Sequence, residues 1–70
     1  MKQYAVIYEK GSDNWSAYPP DLPGCAATGE TFDECKQMIT EAIAFHIEGL
    51  KLAGYNVPEP TSLAAMVAVA

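Results

Sequence analysis

Apolar side chains open the chain on both faces of an extended run. Tyr4-Ala5-Val6-Ile7-Tyr8 is rich in β-formers and lies between polar residues, so it predicts a first strand. Alternation puts Tyr4, Val6 and Tyr8 on one face and Ala5 and Ile7 on the other, and the sheet is expected to be covered on both. Lys10-Gly11-Ser12-Asp13-Asn14 is a turn by composition. Trp15-Ser16-Ala17-Tyr18 follows as the second strand of a hairpin, and Pro19 ends it. A short third strand of small residues is predicted over 25–28.

From residue 32 the period lengthens, and a helix is predicted from 32 to about 53. At 100° per residue Cys35, Ile39, Ala42, Ile43, His46, Leu50 and Ala53 fall within one arc, the width of a core-facing stripe. Gly54 suits a left-handed cap, with Leu50 and Tyr55 able to meet across it, and Lys51 suits the negative end of the helix dipole. Asn56-Val57-Pro58-Glu59-Pro60 is a stiff extended linker. Residues 63–70, Leu-Ala-Ala-Met-Val-Ala-Val-Ala, carry no charge. Their alanines suit a short helix, but Pro60 ahead of them and the valines favour a strand. The fold class expected is α+β: a three-stranded antiparallel sheet with one helix packed on it and a C-terminal strand, in the order β-β-β-α-β.

Between the second strand and the helix lies the stretch that organises the rest. In Pro19-Pro20-Asp21-Leu22-Pro23-Gly24-Cys25 the prolines forbid helix and leave Leu22 as an apolar anchor between rigid turns. Gly29 breaks the short strand, and Thr31 with Glu34 spells a capping box. Glu30, Asp33 and Glu34 place negative charge where the helix dipole is positive. This order, P-D-L-P-G-C, then G-E-T-F-D-E-C, then a helix containing alanine and isoleucine, closely resembles the HicB-like antitoxin family over roughly residues 4–60. The resemblance implies an antitoxin that binds a small basic HicA-type ribonuclease toxin and masks its RNA-cleaving site, with no chemistry of its own. Two-domain members carry a DNA-binding module after this domain. Here the chain stops at Ala70, and a single domain over 1–70 without a DNA-binding module is expected.

Seventy residues give one small domain with a marginal core, which makes added burial through oligomerisation or a partner a reasonable expectation. Nine acids against four lysines and no arginine give a formal charge of −5. Such a balance suits a basic protein partner and disfavours direct binding to nucleic acid, which needs lysine and arginine against phosphate. No apolar run approaches the roughly 20 residues of a membrane helix, and the start lacks the pattern of a signal peptide, so a cytoplasmic location is expected. Cys25 and Cys35 read as buried thiols in a reducing compartment, neither of them in a zinc-type pair.

Candidate chemistry is sparse. His46 is the only histidine and lies within the apolar arc, where it reads as structural. Asp21 reads either as a partner contact or metal carboxylate, or as a cap that fixes its own turn. The family's ribonuclease-H-like fold would call for carboxylates around magnesium, and Asp21, Glu34 and Glu41 are the only set available. Nothing in their spacing makes them converge, so no catalytic residue, metal or cofactor is expected. Cys25 has no neighbouring base to activate it. A stand-alone non-catalytic interaction domain and a metal-dependent nuclease remain the alternatives. Glu34, Glu41 and Glu48 recur every seven residues beside Met38, Phe45 and Leu52, also spaced by seven. This is either a solvated acidic face or a patch that docks a basic partner. With Asp21 and Leu22, the residues Glu34, Met38, Glu41, Phe45 and Glu48 make up the expected partner contact. Leu63, Met66, Val67 and Val69 are the expected contacts of a homo-oligomer, a dimer first.

Overall fold

The computed structural model describes residues 2–70. Its elements are β1 (Ile7–Lys10), β2 (Trp15–Tyr18), β3 (Ala27–Gly29) and α1 (Phe32–Leu52). The three strands form one antiparallel sheet in the order β1-β2-β3, with Tyr8 opposite Ala17 and Ala17 opposite Ala27.

β2 has the expected bounds, whereas β1 begins three residues later than the composition suggests. The register explains the shift. Ile7 pairs with Tyr18, the last residue of β2, so residues 4–6 lie beyond the end of the ladder, facing Pro19 and the turns that follow. Those turns are hydrogen-bonded in series: the Leu22 amide donates to the Pro19 carbonyl at 3.1 Å, and the Cys25 amide to the Leu22 carbonyl at 3.2 Å. Cys25 is thus committed to a turn, and β3 starts at Ala27 rather than at Cys25.

The helix is closed at both ends by its own side chains and backbone. Thr31 is extended, and its Oγ1 accepts from the Glu34 amide at 3.1 Å. Glu34 Oε1 reaches back to the amide of Glu30, one residue earlier than in the usual capping box. At the other end Gly54 has φ +80°, its amide donates to Lys51 and the Tyr55 amide donates to Leu50. These are the two bonds of a Schellman cap.

The core is made of Ala17, Leu22, Cys25, Cys35 and Ile39, with Tyr4, Val6, Tyr8, Trp15, Ala27, Ala42, Ile43 and Ile47 packed around it. Leu22, 1% exposed, belongs to this core and offers nothing to a partner. Phe32 closes one end, 4.7 Å from the Tyr8 ring and 5.4 Å edge-on from Trp15. Gly29 lets the sheet touch the helix: a Cβ there would lie 2.5 Å from the Cys35 amide nitrogen.

Burial fades along the helix. Its 21 residues span about 30 Å, whereas four-residue strands span about 13 Å, so the second half has no sheet beneath it. Only Cys35 and Ile39 of the expected stripe are fully buried; Ala42, Ile43, His46 and Leu50 are half-buried, and Ala53 is exposed. The helix covers one face of the sheet. On the other, with Ile7, Glu9, Ser16, Tyr18 and Thr28, no second element packs among the described residues.

The strand expected over 63–70 is not formed. The linker before it is tied down: Tyr4 Oη donates to the Pro58 carbonyl at 2.5 Å, and Lys2 pairs with Glu59 at 3.2 Å. Leu63 and Ala64 still border residues 3–5, and the whole of 63–70 is exposed. Among the described residues no strand pairs with this segment.

Candidate protein interface

The heptad spacing read from the sequence becomes a ridge because α1 is one continuous helix through all six positions. At 100° per residue Glu34, Met38, Glu41, Phe45, Glu48 and Leu52 fall within about 80°, well away from the stripe that carries Cys35 and Ile39. All six are exposed, Phe45 at 80% and Leu52 at 82%. Large apolar side chains thus alternate with carboxylates along one line. Of the two lysines of the helix, Lys36 lies on the far side by the same spacing and Lys51 stands on the flank, three residues after Glu48, so the charges on the line of the ridge itself are all negative.

Two of its carboxylates have local bonds. Glu34 holds the Glu30 amide at 3.1 Å, and Glu41 Oε2 accepts from Gln37 at 3.3 Å. Beside Phe45 a cleft of about 320 Å³ opens between the helix and the turn, lined by Gly24, Cys25, Ala26, Ala42, His46 and Gly49. His46, expected in the core, is half-exposed on its wall. Burial pushes the Cys25 thiol above its ordinary pKa, which keeps it protonated and a poor nucleophile. Cys25 and Cys35 are both free and buried.

Asp21 is set apart from this ridge. Its Oδ2 accepts from the amides of Thr61 and Ser62, both at 2.9 Å, and its Oδ1 from their hydroxyls at 3.2 and 2.8 Å. The Ser62 amide and hydroxyl, followed by those of Thr61, hold the carboxyl below the usual carboxylate range. Asp21 is therefore neither a cap of its own turn nor a free contact. It clamps the turn to residues 40 and 41 positions away. Asp21, Glu34 and Glu41 do not converge, and no group of three His, Cys, Asp or Glu among the described residues is placed to hold a metal. No helix among them is long and apolar enough to cross a membrane.

At Asp21 it is long-range partners that separate this picture from the sequence reading. The Thr61-Ser62 pair, two hydroxyls preceding an apolar run, was the one available sign of a carboxylate acceptor elsewhere.

Comparison with known proteins gives the following. A family model described as HicB-like antitoxin of bacterial toxin–antitoxin system matches residues 4–70. An uncharacterised 14.9 kDa protein from the rep-hol intergenic region of Haemophilus phage HP1 is 43% identical over 47 residues, 67% of this chain. The match spans about a third of the phage protein, 35% of its length. A UPF0150 protein of Synechocystis is 44% identical over 57 residues, covering 80% of this chain and 72% of that protein. Among solved structures, a chain of the HicA3 and HicB3 toxin–antitoxin complex is similar, with TM-score 0.73 and 34% identity over 84% of this chain and 69% of that one.

Proposed function

The chain belongs to the HicB-like antitoxins of bacterial toxin–antitoxin systems, and from that premise we propose that it binds a basic, RNA-cleaving toxin of the HicA type and masks its active site. The observation that carries this reading is the ridge on α1. Three exposed apolar anchors lie between three carboxylates, with Lys51 only on the flank, and a cleft opens beside the central anchor. An apolar centre gives such a contact its affinity, and surrounding charge selects a basic partner and speeds encounter. The match to a chain of a toxin–antitoxin complex supports the same reading. Binding is the whole of the function, with no catalysis, metal or cofactor. Because the chain has no charge pattern suited to phosphate, its partner is protein rather than nucleic acid.

The test uses the toxin encoded beside this gene and a labelled RNA. An equimolar amount of the chain is expected to stop cleavage. Phe45→Ala is expected to weaken the complex by about 1–2 kcal/mol, and Glu41→Lys with Glu48→Lys to slow association most at low salt. Full inhibition by a variant that carries all three changes would remove the ridge from the mechanism. No complex at micromolar concentrations with wild-type chain would remove the function.

A further inference from the structure

One carboxylate holds the end of the chain to its body. Among the described residues, every hydrogen bond from residues 60–70 to the rest of the chain ends on Asp21. Two of these four bonds come from hydroxyls, Ser62 Oγ at 2.8 Å and Thr61 Oγ1 at 3.2 Å, and both fall on Oδ1. Thr61 and Ser62 are exposed and lie outside any helix or strand, and Pro58 and Pro60 stiffen the segment that leads to them. A tertiary contact thus depends on accessible hydroxyls, in a segment that an enzyme can engage without disturbing α1 or the sheet.

Charge acts in one direction at this contact. Asp21 forms no ion pair among the described residues. The chain has no arginine. Of its four lysines, Lys2 pairs with Glu59 at 3.2 Å, Lys10 stands over the Trp15 ring, and Lys36 and Lys51 belong to α1. Negative charge added to a hydroxyl here meets the carboxylate first.

We propose that Ser62 is a phosphorylation site, at which a serine/threonine kinase using a nucleoside triphosphate detaches residues 61–70 from Asp21. The proposal stands independently of the antitoxin reading. In the transfer, Ser62 Oγ forms the new bond to the γ-phosphorus, and the bond from that phosphorus to its bridging oxygen breaks. The nucleoside diphosphate leaves, and the hydroxyl proton passes to the base of the kinase. Hydrolysis by a phosphatase reverses the change. Ser62 is assigned ahead of Thr61 because its hydroxyl makes the shorter bond to Asp21.

The product disfavours the clamp twice over. Its esterified Oγ has no hydrogen left to donate, and the phosphate brings a charge of about −1.5 to −2 at neutral pH. In water, a charge of about −2 some 4 Å from a carboxylate shifts an equilibrium roughly 30-fold towards separation. Because the hydroxyl is engaged while the clamp is closed, the kinase takes the open form and traps it.

Phosphoserine encoded at position 62 of the full chain tests the effect, and mass spectrometry of the chain from the cells that make it tests the site. Amide exchange at 61 and 62 is expected to quicken roughly 30-fold while the helix and sheet amides keep their rates, and a phosphatase should restore the original pattern. Ser62→Ala keeps its amide bond to Asp21 and should quicken exchange far less. In Asp21→Asn the same phosphate is expected to add little, because the neutral amide does not repel it and Nδ2 donates to it. Chain recovered from cells is expected to carry phosphate on Ser62. Unchanged exchange at 61 and 62 in the phosphorylated chain would overturn the proposal. So would equal quickening by the phosphate in Asp21→Asn, or recovered chain with phosphate on other residues alone or on none.

Discussion

Gly29→Ala adds one methyl group at the tightest place in the fold. The new Cβ would sit 2.5 Å from the Cys35 nitrogen, 2.8 Å from its Cα and 3.0 Å from the Glu34 carbonyl carbon. All three are backbone atoms of the first helical turn, so no side-chain rotation relieves the contact. Ordinary contact requires the helix start to move out by nearly 1 Å, which loosens Cys35, the most completely buried residue of the core. Overpacking of this kind costs about 1–3 kcal/mol. Against it stands about 0.5–1 kcal/mol gained from a less flexible unfolded chain. A net loss of about 1–2 kcal/mol is expected. With m of about 1 kcal/mol/M for a domain this small, the urea midpoint should fall by about 1–2 M at fixed protein concentration. Gly49→Ala is the matching control. Its Cβ meets nothing within 4 Å, it lies inside the helix, and helix propensity alone should raise the midpoint by up to about 1 M. Equal stability of Gly29→Ala and wild type would refute the close approach of sheet and helix.

Thr31→Ala removes the acceptor of the Glu34 amide and should cost about 1 kcal/mol in urea unfolding, with Thr31→Ser costing much less. The Asp21 carboxyl has its pKa depressed in the folded chain, so its contribution is present above the unfolded value near pH 4 and is lost as pH falls through the folded value. The Ser62 amide resonance should therefore move below about pH 4, and in Asp21→Asn this titration should vanish. Both thiols are buried and should react with a disulfide reagent only once urea unfolds the chain. Rapid labelling of two thiols in the native protein would contradict the packing of Cys25 and Cys35.

The parts of this fold that the sequence made legible are those whose causes are local. The bounds of β2, the cap at Thr31 and the left-handed Gly54 each follow from residues within about five positions of one another. The start of β1 does not, because Tyr4-Ala5-Val6 has strand composition but its would-be partners are Pro19 and the turns after it. The ridge was legible as spacing, since one helix turns seven-residue intervals into a line, whereas Leu22 was misplaced because a lone apolar residue among prolines looks the same buried or exposed. Asp21 was illegible for a different reason. Its partners lie 40 and 41 residues away, and from sequence a carboxylate's nearest amides always look like the better candidates.

The clamp at Asp21 also orders events in time. The β1–β2 hairpin and the β3–helix contact close short loops, whereas Asp21 with Thr61 and Ser62 closes one that contains the whole helix. Loop closure grows costlier with length, so this contact is expected among the last to form as the chain folds. It is also exposed and rests on side-chain bonds, the kind of structure that opens below the free energy of global unfolding. Residues 61–70 can therefore come loose and re-dock many times while α1 and the sheet stay assembled. On the timescale of partner exchange, the chain behaves as a rigid body carrying one releasable arm.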